Sequence, residues 1–181
     1  MTIEYAILGL LSWKPLSGYD LKKMIADSAL YYWSGNNNQI YRALVQLHTE
    51  GLVTQEVQLQ EHLPARKIYA VTEKGREKLH EWVCANPQAP EIHNTFLIQL
   101  AWADRLSTEE LTDLMDRYEQ EVQLNMLVVE DQARRKSSQP QRTGRECYLW
   151  EMIADNLVKG YQNELDWISR LKIGLQAYGE I

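Results

Sequence analysis

One segment of the chain, from Ile40 to Gly75, constrains the fold most, because its residue spacing changes from helical to strand-like and back. The spacing predicts, in order, a helix, a strand, a hairpin tip and a second strand: Ile40–Leu47, Val53–Gln60, Glu61–Ala65 and Lys67–Thr72. Thr72 is then expected to cap a further helix that ends near Ala85. Pro64 lacks an N–H group, so it is expected to keep the tip from extending the strand ladder.

The charged residues of this segment favour contact with DNA. Arg66 and Lys67 follow the predicted tip, which gives the ribbon a cationic end beside the polar face of the helix. A helix of this kind fits the major groove of DNA, and a cationic ribbon fits the neighbouring phosphates. The sequence therefore predicts a DNA-binding regulator.

The net charge of −6 is distributed unevenly along the 181 residues. Residues 1–85 hold nine Lys/Arg and nine Asp/Glu, whereas residues 86–181 hold ten and sixteen. Because distant acidic groups are screened, a local basic face is sufficient for phosphate contact. Five side chains are candidates for such a face: Lys22, Lys23, Arg42, Arg66 and Lys67.

Other classes of protein have little support in the sequence. No apolar run is long enough to cross a membrane, and Met1–Trp13 lacks the features of a signal peptide, so a cytoplasmic location is expected. Cys84 and Cys147 form no CxxC pattern, and the histidines show no ligand spacing. No residue has a recognisable catalytic neighbour. We therefore expect no metal, no cofactor and no enzymatic activity.

Cap patterns divide the first half into helices. The apolar stretch Ile3–Trp13 predicts a buried first helix. Ser17, with Asp20 three residues later, has the form of an N-terminal cap for a second helix that runs to about Leu30. Asn36 is a suitable cap for the helix that contains Ile40–Leu47.

The second half is predicted to be entirely helical. Asn86–Pro90 breaks the preceding helix, and we place a domain boundary between residues 86 and 87. A helix over Ile92–Arg105 is expected next, and Ser107 with Glu110 predicts a capping box for the following long helix. A last long helix is expected from about Arg145. Two such amphipathic helices cannot cover both apolar stripes alone, so we expect a homodimer.

With these elements in order, the sequence resembles the PadR family of bacterial transcriptional regulators over nearly its whole length. The motifs that carry the resemblance are Ile7–Leu11, Ser17–Leu21, Ile40–Leu44, Leu47, Glu50–Leu52 and Lys67–Gly75. The long helical tail resembles the larger, phenolic-acid-responsive branch of the family. The wing differs from many relatives, because Leu63–Lys67 contains no glycine and fewer arginines.

The resemblance implies a mainly α fold with a small β-hairpin wing. A winged helix-turn-helix DNA-binding domain would occupy residues 1–86, and an all-α dimerisation domain, which could also hold an effector, would occupy residues 87–181. It implies repression that a small phenolic or hydrophobic effector relieves. The expected partners are a double-stranded, pseudo-palindromic operator, a second copy of the chain and such an effector, with no membrane.

The predicted DNA-contacting residues lie on three elements: Tyr19, Lys22, Asn37, Asn38, Gln39, Tyr41, Arg42, Arg66 and Lys67. Asn and Gln can pair with adenine and Arg with guanine, although an Asn-rich turn can also serve only as a cap. The tyrosines can donate to phosphates or pack at the edge of the core. The charged residues can contact phosphates or only face solvent.

Aromatic residues are frequent in the second half, where core or dimer packing is the favoured role. Tyr148 and Trp150 are kept as candidates for an effector pocket. The competing class for the whole protein is a winged-helix module that binds another protein and not specific DNA.

Overall fold

The computed structural model describes residues 2–26, 38–60, 63–90, 94–134 and 143–178. The chain divides into two compact units, Met1–Gln88 and Ala89–Ile181. The described part of the first unit consists of α1 (Thr2–Trp13), β1 (Leu16–Ser17), α2 (Gly18–Ala26), α3 (Asn38–Thr49), β2 (Val53–Gln60), β3 (Leu63–Val71) and α4 (Glu73–Val83).

The core of the first unit is built around α1. Ile7, Leu8, Leu10 and Leu11 are almost fully buried, as expected for a helix that is apolar around most of its circumference. The core also contains apolar residues of α2, α3 and the sheet. On the outer side of α1, Tyr5 stacks on a tryptophan of α4 with ring centroids 4.5 Å apart. Helix α1 is therefore in contact with its neighbours on several sides.

Local caps place the ends of the helices. The Ser17 hydroxyl accepts a hydrogen bond from the Asp20 backbone N–H at 3.1 Å, which confirms the predicted cap at the start of α2. Gly51 follows α3 and has a φ of 72°, a left-handed conformation that favours glycine. Thr72 accepts from the Gly75 N–H at 3.0 Å and so caps α4, also as predicted.

Three antiparallel strands form the sheet, in the order β1-β3-β2. The sequence predicted only two of them, because β1 is two residues long and follows a helix break. The second ribbon strand was predicted to start at Lys67, but β3 starts at Leu63, so Arg66 and Lys67 lie within a strand and not after a tip. Pro64 is inside this strand, beside a register shift between Gln58 and Gln60.

The second unit is helical throughout its described residues. It comprises α5 (Thr95–Ala101), a 3-10 turn (Ala103–Arg105), α6 (Thr108–Arg134) and α7 (Gly144–Gln176). The predicted helix over Ile92–Arg105 is thus shorter and is interrupted at Trp102. The Ser107–Glu110 capping box is confirmed, since each backbone N–H donates to the other side chain, at 2.9 and 3.2 Å.

The core of the second unit lies between α5, α6 and α7. Phe96, Met115 and Ile168 are buried, and partly buried residues of α6 and α7 surround them. At one edge, Lys172 of α7 forms ion pairs with Asp116, at 2.6 Å, and with Glu119 of α6. These contacts hold the two long helices together along one part of their length. No helix in the described ranges is long and apolar enough to span a membrane.

Candidate nucleic-acid interface

Helix α3 is amphipathic, and its sequence explains why. Ile40, Ala43, Leu44 and Leu47 recur at steps of three and four and are buried in the core. The other described side chains of the helix are exposed: Gln39, Tyr41, Arg42, Val45, Gln46, His48 and Thr49. Because they occupy the opposite side of the helix, they form one solvent-facing surface, which we call the α3 face.

Three of the predicted contact residues lie in the α3 face: Gln39, Tyr41 and Arg42. Gln39 and Arg42 are exposed, three residues apart, and therefore on the same side of the helix. Asn37 and the predicted cap Asn36 lie outside the described residues. Asn38 is the first residue of α3. The helix thus presents an amide and a guanidinium near its N-terminal end.

Val45 and Gln46 extend the α3 face but were not among the predicted contact residues. Val45 is 66% exposed, and Gln46 donates a hydrogen bond to the Glu50 carboxylate at 2.8 Å. With Tyr41 and Arg42 they line an open depression. Their spacing of three and four residues from Arg42 could have identified them in the sequence. Val45 was missed because an apolar residue in a helix is normally assigned to the core.

The two predicted tyrosines differ in their surroundings. Tyr19, on the first turn of α2, is 68% exposed. Tyr41 packs against Gly18 at the start of α2. A Cβ atom added to Gly18 would lie 2.8 Å from the Tyr41 ring. Burial raises the pKa of Tyr69, and the nearby Tyr41 raises it further. Tyr19 is therefore free to reach a ligand, whereas Tyr41 is partly held by packing.

The basic residues of α2 and β3 are also unlike one another. Lys22 is half-buried and Lys23 is exposed. Lys67 is exposed on β3, opposite Val57 of β2, with no ion-pair partner among the described residues. Arg66, its neighbour, forms an ion pair with Asp20 of α2. The structure thus leaves Lys67 available for a phosphate and gives Arg66 an internal partner.

The two candidate effector residues lie near the start of α7. Tyr148 is exposed and Trp150 is half-buried. Side chains two residues apart on a helix do not face each other. Elsewhere in the unit, Phe96 stacks on Tyr118 with centroids 3.8 Å apart and meets Trp167 edge-on at 6.1 Å.

A hydrogen-bond network adjoins this aromatic cluster. The Tyr118 hydroxyl donates to Glu164 at 2.6 Å, and the Asn94 amide donates to the Tyr118 oxygen at 2.8 Å. Burial, together with the hydrogen bond to Glu164, raises the pKa of Tyr118 to about 12. The network links α6 and α7 to the residue that caps α5. Within the described ranges, no cluster of His, Cys, Asp and Glu side chains could hold a metal ion.

Comparison with known proteins adds to this geometry. Residues 7–81 match the family described as "Transcriptional regulator PadR-like family". The chain is 34% identical over 113 residues to the negative transcriptional regulator PadR of Bacillus subtilis, and the alignment covers 62% of each protein. The aligned part therefore spans less than two thirds of that relative. The matched family is one of transcriptional regulators and not of enzymes.

Solved structures show the same fold. The crystal structure of Bacillus subtilis PadR in complex with operator DNA is similar with a TM-score of 0.79 and 24% identity, covering 94% of this chain and 96% of that chain. The same protein in complex with p-coumaric acid gives a TM-score of 0.77 and 22% identity, covering 97% and 99%. These likenesses confirm the predicted fold class, a winged helix with a helical C-terminal region.

Proposed function

We propose that the protein is a sequence-specific, homodimeric DNA-binding repressor, because residues 7–81 match the PadR-like family of transcriptional regulators. The observation that carries this proposal is the α3 face, which exposes Gln39, Arg42, Val45 and Gln46. An exposed helix of this length fits the major groove, where Arg pairs with guanine and Gln with adenine. Repression is supported by the name of the relative, a negative regulator.

Contacts to the phosphate backbone would come from other elements. Tyr19 and Lys22 on α2 and Lys67 on β3 are the candidates, with Tyr41 limited by its packing on Gly18. Such contacts position a protein on DNA without reading its sequence. The acidic excess of the second half does not oppose them, because screening confines each charge to its own neighbourhood.

The homodimer is supported by the distribution of apolar residues in the second unit. Six exposed side chains lie in the later part of α6 and the first turns of α7: Leu124, Leu127, Val128, Tyr148, Leu149 and Met152. We call these the distal apolar residues. Exposed apolar groups in such number mark an interaction surface, and a second copy of the chain is the usual partner. Two copies would read a pseudo-palindromic operator with half-sites about one helical turn, or a multiple, apart.

Relief by a small aromatic or hydrophobic effector is the remaining part of the proposal. It is supported by the likeness to a structure that contains p-coumaric acid. Tyr148 and Trp150 stay the candidate contact residues. An effector can lower operator affinity only if it binds the conformation that does not bind DNA more tightly than the conformation that does. An effector that leaves operator affinity unchanged would contradict this mechanism.

The test of DNA binding is an anisotropy titration of the purified protein against duplexes that tile the DNA upstream of its own coding sequence. We expect one tile to bind far more tightly than the rest, with affinity that falls as salt rises. Arg42→Ala should weaken binding to that tile by about 1–3 kcal/mol. Arg76→Ala is the control, since Arg76 is exposed on α4, outside the α3 face.

The alternative function is a winged-helix module that contacts protein. Weak binding to all tiles, unaffected by Arg42→Ala, would favour that class. The second half is acidic and the first half has a modest basic content, and both facts are compatible with a protein-binding module. The titration distinguishes this function from specific DNA binding.

A further inference from the structure

Arg66 is joined to the start of α2 by two side-chain contacts. Its Nη2 atom donates to the Ser17 hydroxyl at 3.1 Å and forms an ion pair with the Asp20 carboxylate. Ser17 in turn donates its hydroxyl proton to Asp20 at 2.9 Å and accepts from the Asp20 N–H at 3.1 Å. The cap of α2 and the side chain of a wing strand therefore form one network.

This network connects residues that are far apart in the sequence. Arg66 lies on β3, 46 residues after Asp20. Ser17, on β1, pairs with Ile68 of β3, so the backbone already joins the two strands at this point. The Arg66 contacts add a link from β3 to the first turn of α2, the helix that precedes α3. The wing strand β3 is thus bonded to the start of α2 through side chains as well as through the backbone of β1.

The charge of Arg66 is already balanced at this site. The Asp20 carboxylate pairs with it, and the two side chains are partly exposed, at 39% and 34%. Asp20 also lies in the first turn of α2, where a negative charge is favoured by the helix dipole. Lys67, one residue further along, is exposed and unpaired among the described residues. The two neighbouring cations are thus suited to different roles.

We propose, on the basis of the proposed DNA-binding function, that Arg66 is a positioning residue and not a phosphate contact. Its bond to the Ser17–Asp20 cap fixes the wing relative to α2 and α3, so that Lys67 and the α3 face meet the DNA together. Lys67 provides the phosphate contact of β3. The sequence assigned both cations to the phosphates because the partner of Arg66 is distant along the chain.

Four variants test this proposal: Asp20→Asn, Arg66→Met, the double variant and Lys67→Ala. Asp20→Asn keeps the size and the hydrogen-bonding capacity of the cap but removes the ion pair. Each protein is titrated over a salt series with the tile that the wild type prefers and with a scrambled duplex. Unfolding is monitored separately, so that binding is compared only at temperatures where every variant is folded.

Asp20→Asn and Arg66→Met should each weaken binding by roughly tenfold, and the double variant should be no weaker than either, since both break the same link. The slope of log K against log salt should stay that of the wild type. Lys67→Ala should reduce the slope by about 0.9, the value for one lost phosphate contact. Asp20→Asn removes a negative charge, and this change alone would strengthen binding to DNA. Weaker binding by this variant would therefore have to come from the lost link to Arg66.

Three results would overturn the proposal: a slope in Arg66→Met reduced as much as in Lys67→Ala, tighter binding by Asp20→Asn, or wild-type affinity in both single variants. In each of these the wild type still prefers its tile, so the proposed function stands. A wild-type protein with no preference between tile and scrambled duplex would instead overturn the proposed function, and the positioning role with it.

Discussion

The two units differ in how completely they bury their apolar side chains. Fourteen buried side chains among the described residues form one core in the first unit, whereas three form the main core of the second. The second unit also exposes the distal apolar residues. Because apolar burial is the dominant stabilising term in folding, the first unit gains more of this stabilisation, and the exposed apolar residues of the second unit are where we expect a partner to bind.

Glycine substitutions are the strongest test of this difference. A Cβ atom at Gly75 would lie 2.1 Å from the Leu52 carbonyl oxygen, whereas a Cβ atom at Gly174 of α7 would have nothing within 4 Å. Gly75→Ala should lower the free energy of unfolding by about 3 kcal/mol, because backbone must move. Gly174→Ala should raise it by about 0.5–1 kcal/mol, as for glycine within a helix. Denaturant titrations measure the free energy of unfolding of both variants. An unchanged stability of Gly75→Ala would contradict the close packing of Gly75 against the Leu52 carbonyl.

A charge among the distal apolar residues should disrupt the proposed homodimer. Leu127→Glu should give a monomer by size-exclusion chromatography with light scattering. It should also weaken operator binding by roughly 100-fold, because the two half-sites are no longer bound together. Thr112→Glu, which adds the same charge at an exposed position about four turns earlier on the same helix, is the control. A dimeric Leu127→Glu protein would place the interface elsewhere.

The polar network of the second unit should stabilise it in a pH-dependent way. Tyr118→Phe removes the hydrogen bond to Glu164 and should lower the free energy of unfolding by about 2 kcal/mol near neutral pH. The pKa of Tyr118 is raised from 10.0 to about 12 in the folded state. The contribution of its hydroxyl to the free energy of unfolding is therefore complete below pH 10 and is lost as pH rises through 12. The difference in free energy of unfolding between the wild type and Tyr118→Phe should therefore become smaller between those pH values. A constant difference would contradict the raised pKa.

The first unit also exposes an apolar residue, Val45, but there we expect it to contact DNA. In the major groove an exposed valine can contact the 5-methyl group of thymine. Replacing one operator thymine by deoxyuridine should weaken wild-type binding by roughly fourfold, the effect of one buried methyl group. Val45→Ala should lose this dependence, and Val83→Ala, equally exposed on α4, should keep it. If no thymine shows such dependence, Val45 does not read the operator.

The sequence predicted those features that depend on neighbouring residues. The caps at Ser17, Thr72 and Ser107 each involve a partner three residues away, so a local pattern was sufficient. The bond between Arg66 and Asp20 spans 46 residues, and only the folded chain shows it. Strand β1 was missed for the same reason, because its pairing with β3 and not its composition makes it a strand.

The helical half shows the same limit. The sequence indicated two long helices and an apolar surplus, and the starts of α6 and α7 lie near the predicted positions. It could not indicate that Asn94, Tyr118 and Glu164 meet, since they come from three separate stretches of chain. The aromatic residues suggested for an effector were chosen from composition alone, and on α7 the two candidates do not face each other.

The most direct test of the central claim is a selection of DNA by the wild-type protein from a pool of randomised duplexes, repeated with Arg42→Ala. If two α3 helices of a homodimer read the major groove, the selected duplexes share an inverted repeat with half-sites about one helical turn, or a multiple, apart, and Arg42→Ala loses a base preference within each half-site. A pool without enrichment, or a repeat that Arg42→Ala selects unchanged, would contradict the account.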